Sequence, residues 1–243
     1  MPSRRHAIAD DLRHQISTGH LKAGERLPSE AQLATRYAVS TPTLRSALAL
    51  LQGEGLVEKI HGSGNFVRRP LRRITYLGGV AELATWITFS TPLRVTTRTT
   101  NTEAHSHLST LLSVPPGSPL TEALHIAHEG KTPHSLARVY VPRDLAPADP
   151  AAATPSTERV AVRSADPRPP LATVQERLTA RLPTQEEATA LRISTSLAVL
   201  SLTRVATDTT GRVVEVALLV LPGDRAEALF SNRLNPEERT PKA

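Results

Sequence analysis

Arg45 stands just inside a segment opened by three hydroxyl residues, Ser40, Thr41 and Thr43. A guanidinium can donate two parallel hydrogen bonds to guanine O6 and N7 or to a phosphate, and short hydroxyls suit phosphate oxygens. Downstream, His61 is followed by Gly62, Ser63 and Gly64. Glycines on both sides of Ser63 permit positive φ, so a turn there can lie close to a sugar-phosphate backbone, with His61 as a donor. Arg4, Arg5, Arg26 and Arg36 add cations suited to backbone phosphates. Together these groups have the chemistry of nucleic-acid recognition.

Catalytic patterns do not appear. There is no G-x-S-x-G elbow and no phosphate-cradling P-loop. His105 and His107 are two apart with no third ligand nearby, which fits a solvated helix start better than a metal site. The chain has no cysteine, which excludes disulfides and thiolate metal sites. No catalytic residue, metal ligand or cofactor is expected.

Local elements must hold the candidate groups in place. Ile8, Leu12 and Ile16 form one apolar stripe, so a helix is expected from Arg4 to Thr18, ended by Gly19. Leu21 to Leu27 reads as a loop that turns at Gly24, with Leu27 as a core plug. Ser29 is a good cap for a second helix, Glu30 to Tyr37, with Leu33, Ala34 and Tyr37 inward. Ser40 caps a third, where Pro42 is tolerated in the first turn. Leu44, Leu48 and Leu51 give it a buried stripe, with Ala47 beside them; Arg45 falls on the opposite side. Gly53 and Gly55 are expected to end it. Leu56 to Ile60, a turn at His61 to Asn65, and Phe66–Val67 then make a glycine-tipped hairpin. Two helices joined tightly and followed by such a hairpin form a winged helix-turn-helix.

Arg68 to Arg73 reads as a linker. Beyond it, Leu93–Thr99, Leu120–Ala127, Ser135–Val141, Leu197–Val205 and Val213–Leu221 are expected strands, and Arg159–Arg163 a short one. Turns fall at Glu129–Lys131 and Asp208–Gly211. Expected helices are Glu103–Leu112, Leu171–Arg181 and one opened by the Thr184/Glu187 capping box. The Ala/Pro-rich run 145–155 is a loop. These strands and helices make an α+β layer of antiparallel strands with helices against it.

Charge supports the division. Residues 1–73 hold 12 Lys/Arg against 6 Asp/Glu, so the whole formal excess of +6 sits in the first third of the 243-residue chain. Such an asymmetry favours a polyanionic partner. No apolar run approaches the roughly 18 residues that span a bilayer, and no signal-peptide core is present. The expectation is a cytoplasmic protein without a membrane partner.

The run LPSEAQLATRYAVSTPTLRSALALLQGEGLV, with the glycine wing ending in Phe66-Val67, resembles the DNA-binding domain of GntR-type bacterial transcription regulators over residues 5–67. The segments EEATALRI and SLAVLSLTRVATDTTGRVVEVALLVLPGDR resemble the UTRA effector domain of HutC-type members, and residues 108–142 are similar to its first half. The resemblance implies a chorismate lyase-like C-terminal fold and a domain order of 1–68 for the winged helix, 69–80 for the linker and 81–243 for the effector-binding and dimerisation domain. It implies a homodimeric repressor on a palindromic double-stranded operator, released by a small molecule. Ala31, Thr41 and Ser63 stand where many members carry basic residues, so the operator is expected to differ from the common one. For the effector site the resemblance points to His125 and Glu215, with His125 and His128 the only cations where phosphosugar sensors carry arginines; Arg138, Tyr140 and Arg204 are further candidates from their strand positions. Asp224 and Arg225 are expected to form a structural turn and ion pair rather than a ligand site. Two other readings are a regulator whose second domain only dimerises and, remotely, a lyase-like enzyme.

Overall fold

The computed structural model describes residues 3–60, 62–69, 73–77, 87–88, 93–130, 132–146 and 169–230, with backbone alone at 87–88. His61, most of the 145–155 loop and the Arg159–Arg163 strand lie outside the described residues.

Three helices build the N-terminal unit: α1 (Arg4–Ser17), α2 (Glu30–Arg36) and α3 (Thr41–Gly53). Their stripes meet as expected. Ile8, Leu12, Leu33, Leu44, Leu48 and Leu51 are buried in one core that Leu27 plugs. Local chemistry starts α2 and α3. Ser29 and Gln32 form a reciprocal capping box, satisfying two N–H groups that the helix leaves open. The Ser40 hydroxyl accepts from the Thr43 N–H with Pro42 in the first turn. α3 ends at Gly53, as expected, next to the Ser196 carbonyl, and Gly55, at φ +73°, makes the left-handed turn. Strands β1 (Val57–Ile60) and β2 (Gly64–Val67) pair antiparallel to form the wing.

The C-terminal unit is α+β. Strands β5 (Arg94–Glu103), β6 (Pro119–Glu129), β7 (Thr132–Pro142), β8 (Leu171–Arg181), β9 (Val199–Asp208) and β10 (Val213–Pro222) form an antiparallel sheet in the order β5-β6-β7-β10-β9-β8. Helices α4 (His107–Leu112) and α5 (Gln185–Leu191) cover one face, where Leu112 packs with Tyr140 and Val216, and Leu191 with Leu136 and Val220. The other face is covered by β3 (Ile74–Leu77), whose Ile74 and Tyr76 pack on Val139, Ala217 and Leu219. In a second, three-stranded sheet β3 lies between β4 (Ile87–Thr88) and β11 (Ala226–Leu229), and its pairing with β11 is parallel.

Three expectations need correction. Leu171–Arg181 is a strand, not a helix. Val174, Glu176 and Leu178 alternate inward along it, but the charged Glu176 disguises the two-residue period. Glu103 closes β5, and α4 begins only at His107. Within the segment read as linker, 74–77 is a strand of the second core.

Candidate functional site: the outward face of the third helix

The inner side of α3 is sealed: Leu44, Ala47 and Leu51 are fully buried and Leu48 nearly so. A helix anchored along one side in this way holds its other side at a fixed attitude. The Arg45 side chain is 64% exposed on that other side. Its Nε donates to Glu30 Oε2 at 2.6 Å, with Lys59 Nζ 3.6 Å from Glu30 Oε1. The hydrogen bond from Arg45 holds the Glu30 carboxyl below its ordinary pKa. Glu30 therefore ties together the recognition helix, the second helix and the first wing strand. Sequence reasoning missed Glu30 and Lys59, because nothing in spacing reveals a pair between two helices.

Ser40, Thr41 and Thr43 border one concavity of about 750 Å³ together with Arg4, which α1 brings across from the chain start. The Ser40 and Thr43 hydroxyls are 2.9 Å apart. Arg26 joins the wing: its backbone bridges to Phe66, and its guanidinium lies beside Gly64. Gly62 (φ +74°) and Gly64 (φ +107°) adopt the left-handed region that the turn requires, with exposed Ser63 between them. Arg5 and Arg36 are exposed on α1 and α2 and do not border the concavity. Sequence-predicted residues thus gather around the front of α3 and at the wing tip.

The expected effector residues divide between the two faces of the sheet. Strand register puts His125, Arg204 and Glu215 on the face that β3 covers. Arg138 and Tyr140 point to the helix-covered face. There Arg138 pairs with Glu122 at 3.1 Å and with Glu186 of α5, and the Tyr140 hydroxyl is 3.4 Å from Glu122. Burial, helped by the Glu122 charge, raises the Tyr140 pKa. Arg138 thereby ties α5 to the sheet, while Tyr140 packs beside Leu112 of α4.

On the β3 face, Arg204 is 1% exposed, with Nε 3.5 Å from Glu176 Oε1; the Tyr76 hydroxyl donates to that same oxygen at 2.5 Å. Glu215, also 1% exposed, lies diagonally from Arg204 across β9 and β10. His125, on β6, is two strands from Glu215 and three from Arg204, roughly 10 and 14 Å at ordinary strand spacing. Its Nδ1 meets Thr97 Oγ1 at 2.9 Å, while its Nε2 is buried without a hydrogen-bond partner. Burial lowers its pKa to about 4, so the ring is neutral near pH 7.

Asp224 lies where the two units meet. Arg68 Nη1 donates to its carboxylate at 2.6 Å, and a methyl placed on Gly55 would lie 3.0 Å from the same side chain. The neighbouring Arg225 is buried and donates to the Pro133 and His134 carbonyls. Among the described residues no metal-binding cluster occurs, and no helix is long and apolar enough to cross a membrane.

A winged helix carrying an outward guanidinium, followed by an antiparallel α+β domain, defines a DNA-binding transcription regulator. Comparison with known proteins agrees. The model for bacterial regulatory proteins of the gntR family matches residues 4–67, and that for the UTRA domain matches residues 94–227. The uncharacterized HTH-type transcriptional regulator RB1450 of Rhizobium meliloti (strain 1021) is 32% identical over 231 residues, covering 90% of this chain and 91% of that protein. The mannosyl-D-glycerate system repressor MngR of Escherichia coli (strain K12) is 44% identical, but over 69 residues, 28% of each chain. A solved GntR-family transcriptional regulator superposes with a TM-score of 0.52 at 25% identity, covering 96% of this chain and 98% of that one. The chain belongs to the GntR family, with the UTRA domain of its HutC-type members; it is a transcription regulator and not an enzyme.

Proposed function

We propose that the protein is a cytoplasmic, ligand-released repressor that grips a palindromic operator as a homodimer. The observation that carries this reading is α3 itself, sealed along Leu44, Leu48 and Leu51 while Arg45 faces outward, 64% exposed. Arg45 reads a base edge and the hydroxyls take phosphates. Arg4, Arg5, Arg26 and Arg36, with Gly62, Ser63 and Gly64 at the wing, follow the backbone. One winged helix covers one half-site, so twofold symmetry in the protein suits twofold symmetry in the DNA. The matched repressors among its relatives support the sign of regulation.

The effector enters the UTRA domain on the sheet face beneath β3, toward His125, Arg204 and Glu215. A His125 Nε2 buried without a partner supports a ligand there, since such a nitrogen costs free energy until something bonds it. Binding shifts the population between arrangements of the two DNA-binding units and lowers operator affinity.

An electrophoretic shift assay with DNA from upstream of the protein's own gene tests the first part. A retarded band that weakens steeply with salt is expected, and none at low salt would sink the reading. Thermal-shift screening of metabolites tests the second, because a ligand that binds only the folded state raises the melting temperature.

A further inference from the structure

We propose that the cleft between the wing and α5 is a second small-molecule site, one that takes an aliphatic carboxylate.

The cleft has a volume of about 730 Å³, and each unit supplies one wall. Sites for small ligands commonly measure about 300–1,000 Å³, are mainly apolar and occur preferentially between domains. The N-terminal unit contributes β1 from Val57 to Ile60, and the C-terminal unit contributes α5 and the residues that follow it. α5 packs on the sheet face opposite the one that β3 covers, so this cleft is separate from the effector face of His125, Arg204 and Glu215.

The strand period turns Val57 into the N-terminal core and Ile60 to the other side of β1. Ile60 lines the cleft and is left 44% exposed, and the opposite wall brings Ile193, partly buried. An aliphatic chain in the cleft removes apolar surface from water on both walls.

Three charged residues line the cleft, two cations to one carboxylate. Glu58 lies within electrostatic reach of the buried Arg225 cation, and Lys59 Nζ is 3.6 Å from Glu30 Oε1, so each has an opposite charge nearby in its own surroundings. Arg192 brings the other cation to the α5 wall. It is the C-cap of α5 at φ +52°, a left-handed position that glycine takes with less strain. A guanidinium placed there can grip a carboxylate through two parallel hydrogen bonds. Apolar walls with one cation in excess fit a ligand with an aliphatic body and an acidic end.

Calorimetric titration of the full-length protein with hexanoate and octanoate tests the site. One molecule should bind per chain, octanoate about 15-fold more tightly than hexanoate, at about fourfold per methylene. Octanamide, of the same shape but uncharged, should bind about two- to fivefold more weakly than octanoate, the value of an exposed ion pair. Arg192→Gly should erase the difference between octanoate and octanamide without lowering the melting temperature, because glycine suits the left-handed cap. Thr189→Phe places a ring on the exposed α5 wall of the cleft and should abolish saturable binding of both. No saturable binding of octanoate to the unaltered chain overturns the proposal, and so does binding that Thr189→Phe leaves intact. Equal affinity of the unaltered chain for octanoate and octanamide overturns it too. No DNA enters the titration, so each of these failures leaves the repressor reading standing.

Discussion

Arg45 and Glu30 show how a protein can aim a cation without trapping it. With Arg45 largely in solvent, such a pair contributes about 0–1 kcal/mol, so a guanine or phosphate can take the guanidinium at little cost. Arg45→Ala should therefore leave stability within about 1 kcal/mol in urea denaturation. Operator affinity, read by fluorescence anisotropy, should fall about ten- to hundredfold, the value of a lost bidentate contact. Equal binding by the variant would remove Arg45 from the interface. His125 makes the opposite case, a polar group the fold holds tightly. Its folded pKa, about 4, lies below the ordinary 6.5, so as pH falls the unfolded chain takes up the proton first. The stability its neutrality supports is present above about pH 6.5 and is lost toward pH 4, up to roughly 3 kcal/mol. His125→Asn should flatten that part of the pH–stability curve measured by chemical denaturation.

At the scale of elements, the N-terminal unit was legible because its information is local. Stripes at helical spacing, Ser29 and Ser40 at the caps and the glycines of the wing each act within a few residues. The second unit depends on partners far apart in the chain. In β8, Glu176 faces inward because Arg204 and the Tyr76 hydroxyl await it, 100 residues separating Tyr76 from Glu176; without them the segment reads as a good helix. The same distance hid β3 inside an arginine-rich stretch and left β11 unseen. The candidate DNA residues were legible by type, whereas Glu30 as the partner of Arg45, and the division of the effector candidates between two faces, needed the strand register and the packing. Two substitutions test the elements. Thr184→Ala removes the α5 capping box and should cost about 1 kcal/mol. Gly223→Ala places a methyl 2.7 Å from the Ala198 carbonyl oxygen, a backbone atom with little room to yield. It should cost about 1–3 kcal/mol, and both appear as lower midpoints in thermal melts.

For the whole molecule, the joint at Asp224 matters most. The Arg68 side chain is 7% exposed and that of Asp224 18%, so removing one charge leaves the other poorly solvated. Asp224→Asn should destabilise the joint by about 3 kcal/mol and separate calorimetric unfolding into two transitions, one for each unit. Arg68→Leu combined with Asp224→Leu should cost less than either single change, since no unpaired charge remains buried. A single unchanged transition in Asp224→Asn would mean that the units are held together elsewhere.

The parallel pairing of β3 with β11 also sets an order of events on the ribosome. Residues 4–67 can fold as soon as they emerge, because the residues of their core are all near neighbours in the chain. Ile74 and Tyr76 emerge next, yet the edge beside them stays open until residues 226–229 have been translated. The nascent protein thus acquires a competent DNA-binding head well before it acquires a finished sensor.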